Sequence, residues 1–204
     1  MSVITEISLQ KNKKDRVNIF VDNEFFIGTS LEIVYKFSLK KDMEIDKQFL
    51  DDIIFENEKI ECFNKGISYC SRNLKTEKQV KDYLFLKGYN SKHIYYALDK
   101  LKEYKYIDDA LFSMRYIEST AHRQGEKLSK HKLIAKGIKS DVVERALLDA
   151  EIDSFSNCKM IAEKYLKNKQ ITNENLSKAF RYLMGKGFSY EDVMHVINEF
   201  KVED

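Results

Sequence analysis

The chain has 204 residues, 43% hydrophobic and 33% charged, a balance that suits a folded protein and excludes a disordered one. It holds no proline and only 7 glycines, so a helix-rich fold is expected. With 35 Lys+Arg against 33 Asp+Glu, the net charge of +2 is too near neutral to mark a nucleic-acid binder by bulk charge.

Met1–Leu9 has neither the basic start nor the apolar stretch of a signal peptide, and no run approaches the roughly 18 apolar residues of a membrane span. A cytoplasmic location is the resulting expectation. Val3–Leu9 alternates loosely at period two, Lys11–Asp15 reads as a polar turn, and Val17–Val21 and Glu24–Ile27 flank Asp22-Asn23 as a hairpin would. The earlier segment is expected to add a third strand. Leu31, Val34, Tyr35 and Phe37 predict a short helix over one face. Residues 1–57 thus read as a small α+β extension.

The remainder is helical and repeats. Gly88, Gly137 and Gly187 stand 49 and 50 residues apart (137 − 88 and 187 − 137). Each follows a Lys and precedes an apolar residue: Tyr89, Ile138 or Phe188. Leucines at 84, 133 and 183 stand before them, Ile94, Val143 and Val193 after them, then Leu98, Leu147 and Ile197. Matched offsets over such a period indicate tandem helical units. At each Lys-Gly a helix should end, Gly taking the left-handed position and Lys facing the negative end of the helix dipole. A preceding helix completes each unit: roughly Glu58–Arg72, Asp109–His122 and Asn157–Lys167. Thr76 with Gln79 forms a capping-box pattern, Ser129 and Thr172 are expected N-caps, and Asp108 should cap the helix from Asp109. The expected architecture is mainly α: three tandem three-helix, helix-turn-helix-like repeats at 58–107, 108–152 and 153–204, in an elongated array behind the α+β extension. Non-identical repeats without coiled-coil heptads predict a monomer.

Charge is uneven. From Arg115 to Arg145 the basic residues Arg115, Arg123, Lys127, Lys130, Lys132, Lys136, Lys139 and Arg145 outnumber Glu118, Glu126, Asp141 and Glu144, whereas the first sixty residues lean acidic. A basic middle suits a polyanion or an acidic protein face, or is an ordinary solvated helical surface. No constellation for chemistry emerges. Asp108-Asp109 reads as a helix cap rather than an acid–base pair, and His93, His122, His131 and His195 lack metal-ligand spacing. Cys62, Cys70 and Cys158 form no C-x-x-C pair and are expected as reduced, buried thiols. The Lys-Gly pairs are helix stops and not a phosphate-binding loop. Tyrosines and phenylalanines at repeat offsets read as core, with Tyr89, Tyr95 or Tyr96 as the candidates for base stacking. Catalytic, metal and cofactor sites are therefore not expected.

Particular motifs carry a family resemblance. Tyr106-Ile107-Asp108-Asp109-Ala110-Leu111-Phe112, with Lys136-Gly137-Ile138 later, resembles the signature of the RecX family. Thr76–Leu84 with Lys87-Gly88-Tyr89 is similar to that family's Ser-Glu-x-Glu-Leu…Lys-Gly-Tyr segment, and Lys186-Gly187-Phe188 to its C-terminal one. Asp22-Asn23-Glu24-Phe25 and Leu39-Lys40-Lys41 are similar to the N-terminal extension of many members. Two features depart from the pattern. The family usually has Gly ahead of the Asp-Asp turn where Lys105-Tyr106-Ile107 stands, and Ser129–Gly137 is shorter by about four residues, close to one helical turn. The resemblance implies a non-enzymatic regulator that binds RecA and RecA–single-stranded DNA filaments. It would inhibit or modulate RecA ATPase, strand-exchange and coprotease activity in recombination, DNA repair and the SOS response, with weak direct DNA binding left open. The candidate contact residues are Arg115, Arg123, Lys127, Lys130, Lys132 and Lys136, followed by Lys75, Lys78 and Lys81. Two other readings remain at this point: a helix-turn-helix protein gripping DNA phosphates directly, and a helical-repeat adaptor for another protein.

Overall fold

The computed structural model describes residues 1–202, the last by its backbone alone. The chain forms two compact units, Met1–Ser71 with Tyr83–Tyr104, and Arg72–Asp82 with the residues from Lys105 onward.

The first unit opens with a sheet of order β3-β2-β1-β4, formed by β1 (Ser2–Gln10), β2 (Lys13–Val21), β3 (Glu24–Ser30) and β4 (Glu44–Ile45). Asp22 and Asn23 join β2 to β3 with φ of 51° and 67°, the pair of positive angles that a two-residue hairpin needs and that Asp and Asn tolerate. The expected polar turn is tighter than read. Gln10 pairs with Lys13, and Lys13–Asp15 continue as an exposed strand end, where solvated charges cost nothing. Ile4, Val17, Ile19 and Ile33 lie on the buried face, with α1 (Leu31–Lys36) capped by Ser30.

The helix α2 (Lys47–Cys70) starts at Lys47 rather than Glu58, because Asp46 caps it (Phe49 N–H to Asp46 Oδ1, 2.8 Å) and no breaker follows. Residue 57, the expected end of the extension, therefore lies inside a helix. There the buried Asn57 accepts from Thr29 Oγ1 at 2.8 Å, and Glu61 meets Arg16 at 2.8 Å, fastening the helix to the sheet. Farther on, Gly66 lets α2 approach α4 (Ser91–Glu103), since a Cβ there would sit 2.6 Å from Leu101 Cδ1.

The second unit holds the start of α3 (Glu77–Leu86) and then α5 (Asp109–Thr120), α6 (Glu126–Ala135), α7 (Ser140–Asp149), α8 (Ser154–Leu166), α9 (Asn173–Gly185) and α10 (Tyr190–Val202). One core gathers Ile117, Leu133, Ile138, Val143 and Ala146, another Leu166, Leu176, Leu183, Phe188 and Val193. The glycine positions behave as their spacing predicts. Gly88, Gly137 and Gly187 have φ of 87°, 89° and 86°. Each donates to the carbonyl three residues back, and the next residue donates to the repeat's leucine: Tyr89 to Leu84 (3.4 Å), Ile138 to Leu133 (3.3 Å), Phe188 to Leu183 (3.4 Å). This is the Schellman pattern, and it explains why the leucine and the apolar residue recur together. Cys62, Cys70 and Cys158 are buried thiols, and burial pushes Cys62 up to about 11 and Cys158 up to about 12.

Caps divide into those expected and one displaced. Asp108 accepts from Leu111 N–H at 2.9 Å, Thr172 from Asn175 N–H at 3.3 Å, and Thr76 and Gln79 form the reciprocal box at 3.2 and 3.0 Å. Ser129 is not an N-cap. It lies buried within α6, accepting from Gln124 Nε2 at 2.9 Å, and Gly125 occupies the cap. The reason is steric: a Cβ at Gly125 would stand 2.5 Å from the Gly187 carbonyl oxygen.

That approach belongs to a recurring joint. The start of α6 abuts the turn ending α9, with Gly125 N–H donating to Lys186 O (2.9 Å) and Lys127 N–H to Gly187 O (3.1 Å). The start of α3 likewise abuts the turn ending α6, where Thr76 Oγ1 donates to Lys136 O at 2.9 Å and the Lys78 side chain covers Gly137. Helix N–H ends thus meet carbonyl ends, satisfying groups that a lone helix leaves open.

Candidate partner-binding surface

The candidate basic residues fall into separate groups. Lys127 and Lys130 share the first turns of α6 and flank two open grooves. One, of about 430 Å³, runs along α7 and is lined by Glu126, Glu144, Leu147 and Leu148. The other, of about 420 Å³, lies over the joint and is lined by Leu128, His131, Met184 and Phe188. Leu148 is 80% exposed, an apolar side chain beside lysines with nothing covering it. Lys130 Nζ pairs with Glu144 at 2.7 Å, and Ser140 Oγ donates to the same carboxylate at 3.0 Å. These two bonds hold the exposed Glu144 carboxyl below the usual range.

A second group surrounds the α3–α6 joint. Lys136 closes α6 and presents its carbonyl to Thr76, Lys78 pairs with Asp82 at 2.7 Å, half-buried Lys75 precedes α3, and Lys81 is exposed on it. The others stand apart. Lys132 turns to Gln124 Oε1 at 2.5 Å, Arg123 Nη2 donates to Ser119 O at 3.2 Å, and Arg115 is exposed on α5. The basic middle is therefore a ridge at Lys127–Lys130 and a cluster at Lys78–Lys136, with carboxylates interleaved, and not one positive field.

Sequence reasoning missed three things. Asp109 accepts from Glu77 N–H at 3.0 Å, so the Asp-Asp pair caps two helices, Asp108 its own and Asp109 the start of α3. The Gly125 cap had a signal, because it precedes Gly137 by the same 12 residues (137 − 125) as Thr76 precedes Gly88 (88 − 76). The exposed Leu148 had one too: it stands eleven residues after its repeat glycine (148 − 137), where the other repeats carry the exposed Asp99 (99 − 88) and Asn198 (198 − 187). The aromatic reading is also refined. Tyr69 stacks on Tyr83 at 4.0 Å with Lys87 over the latter ring, and Tyr165 stacks on Tyr182 at 4.5 Å with Lys186 over the latter. These tyrosines join helices within a repeat. Tyr89 is half-buried and Tyr96 lies under Lys59.

Among the described residues no group of His, Cys, Asp and Glu is placed to hold a metal ion, and no helix is long and apolar enough to cross a membrane. Residues 2–46 match the family model "Regulatory protein RecX N-terminal domain", and residues 62–101 match "RecX, first three-helix domain". A protein of Clostridium botulinum (strain Alaska E43 / Type E3) named "Regulatory protein RecX" is 34% identical over 205 residues, covering 98% of this chain and 96% of its own. A Clostridium tetani protein of the same name is 35% identical, covering 98% and 95%. A crystal structure described as regulatory protein RecX superposes with a TM-score of 0.82 at 22% identity, covering 98% of this chain and all of that one. That of RecX from Lactobacillus salivarius gives 0.66 at 25% identity over 72% of this chain and 99% of its own. With identity above 30% over nearly the full length, domain matches in the family's order and the same fold, the chain belongs to the RecX family of regulatory proteins.

Proposed function

We propose that this protein binds RecA assembled on single-stranded DNA and lowers its ATPase, strand-exchange and coprotease activities, catalysing no reaction and using no cofactor. The observation that carries this reading is the near-full-length similarity to relatives named regulatory protein RecX. The surface chemistry supports a protein-directed contact. The Lys127–Lys130 ridge is interleaved with Glu126 and Glu144 and flanked by Leu147 and Leu148, a mixture that suits a protein face better than an unbroken row of phosphates. On this reading the segments 58–107, 108–152 and 153–204 serve as contact modules of a cytoplasmic monomer. Several weak contacts on one chain act at raised effective concentration along a polymeric partner. Arg115, Arg123, Lys127, Lys130, Lys132 and Lys136 are the residues assigned to that contact, with Lys75, Lys78 and Lys81 next.

Anisotropy of the labelled protein on RecA–single-stranded DNA filaments and on bare single-stranded DNA, over a salt series, separates the readings. Filament binding should be tighter than bare-DNA binding at every salt concentration. Replacing Arg123, Lys127 and Lys130 with Glu should weaken filament binding by about tenfold or more. Equal affinity for bare DNA, falling steeply with salt, would replace this reading with direct DNA binding.

A further inference from the structure

Of the three Lys-Gly turns, two are covered. The turn at Gly137 meets the start of α3, and that at Gly187 meets the start of α6. The third, Lys87-Gly88-Tyr89 at the end of α3, is bare. Gly88 is exposed, and a Cβ placed there would meet nothing within 4 Å. Beside it Phe85 is 69% and Leu86 82% exposed. Large apolar side chains so placed are costly to leave in water unless something covers them.

A matching half is left over in the second unit. The first turn of α9, Asn173–Glu174, is exposed behind Thr172. Next to it a groove of about 470 Å³ opens between α9 and α10, lined by Leu176, Phe180, Met194 and Ile197, with Asn173 and Arg181 at its side. Counted from the repeat glycine, Arg181 (187 − 181 = 6) holds the place of His131 (137 − 131 = 6), which lines the filled joint of α6. Phe180 likewise holds the place of Lys130 (187 − 180 = 137 − 130 = 7), so the α9 version is more apolar than the α6 one.

We propose that these two surfaces are a contact between copies of this chain: the Phe85–Gly88 end of one seats on the α9–α10 groove of the next. It repeats between chains the head-to-tail step that α3, α6 and α9 make within one. Phe85 and Leu86 enter the groove lined by Leu176, Phe180 and Met194, while the carbonyl end of α3 faces the N–H end of α9. The two surfaces differ, so the contact is heterologous and adds chain after chain in a row or ring instead of pairing two copies through one shared patch. It is small, so free chains stay monomeric when dilute and rows form where chains are concentrated, as on a polymeric partner.

Cysteine cross-linking of the full chain tests this directly. At the α3–α6 joint Lys78, ten residues before its glycine (88 − 78), covers the next repeat's turn, and the equivalent in α9 is Ser177 (187 − 177). A Lys87→Cys/Ser177→Cys variant, oxidised at about 200 µM, should give a ladder of dimers, trimers and longer species. The buried native thiols are slow to react, so the parent chain should give none. Adding Phe85→Glu and Leu86→Lys, at exposed positions that leave the core intact, should suppress the ladder about tenfold or more. Sedimentation of the unmodified protein should show its average mass rising between about 10 and 500 µM. A variant that stays monomeric with a flat sedimentation series, or a ladder indifferent to Phe85→Glu and Leu86→Lys, would overturn the proposal.

Discussion

His93 lies with its side chain fully buried between α2 and α4, 4.4 Å from the Phe55 ring, and neither ring nitrogen has a hydrogen-bond partner. Glu58 reaches within 3.5 Å of Nδ1, with Glu56 and Lys59 nearby on the same helix. Burial lowers the pKa from its ordinary 6.5, and Glu58 opposes this only in part. The folded protein therefore holds the neutral ring, while the unfolded chain protonates near the ordinary value. Stability should be level above about pH 6.5 and decline as pH falls below it. In urea melts, His93→Phe should lose less of its midpoint than the parent between about pH 7.5 and 5.5, and should gain about 1–3 kcal/mol where a buried unsatisfied polar group is replaced. An equal acid loss in both proteins would contradict this account. Lys105 makes a second point at this scale. Its φ is 60°, a left-handed conformation that glycine adopts without the cost a side chain brings. This chain makes the approach to the Asp108-Asp109 turn with a lysine there. Lys105→Gly should be neutral or stabilising by up to about 1 kcal/mol, and Lys105→Val destabilising by about 1–2 kcal/mol, both read from urea midpoints.

Helix ends carry most of what was legible in the sequence, and also its main misreading. Thr76, Asp108 and Thr172 cap helices as their types predict, because a capping side chain acts on its own backbone and needs no tertiary knowledge. Ser129 misled for the converse reason: the α6 cap is set by a carbonyl of another repeat, which favours the residue with no side chain. The joints make the three repeat glycines unequal despite equal φ. Gly88→Ala should cost only the left-handed strain, about 1–2 kcal/mol. Gly187→Ala also drives a methyl into the start of α6 at Leu128 and should cost at least about 1 kcal/mol more. Equal losses in urea denaturation would mean that the α6–α9 joint is not as close as described. Asp109→Ala should cost about 1 kcal/mol through the lost bond to the Glu77 N–H at the start of α3, although Asp109 lies outside that helix's own repeat.

At the scale of the whole chain, the period of the Lys-Gly turns was readable because each turn is a local motif with a fixed leucine and a fixed apolar follower. The grooves were not readable. Which carboxylate meets Lys130, or which side chains line the groove beside it, depends on neighbours brought together only by folding. The basic middle shows the same limit: of its eight cations, Lys127 and Lys130 form a ridge, Lys136 joins a cluster with Lys78, and Arg115, Arg123 and Lys132 stand apart, while Lys130 is already paired with Glu144. The Lys130–Glu144 pair is exposed and worth little in stability, so it can open when a partner carboxylate competes. Removing the internal competitor with Glu144→Gln should leave thermal stability nearly unchanged and strengthen binding to RecA filaments by a few-fold, measured by anisotropy; weaker binding would place the contact elsewhere.

The central claim is that this chain acts on RecA while RecA is on DNA. The most direct measurement adds the protein to preformed RecA filaments on single-stranded DNA and follows ATP hydrolysis. The account predicts inhibition at protein concentrations too low to occupy the bare DNA, with partial recovery when Arg123, Lys127 and Lys130 are replaced by Glu. Unchanged hydrolysis at saturating protein would contradict it.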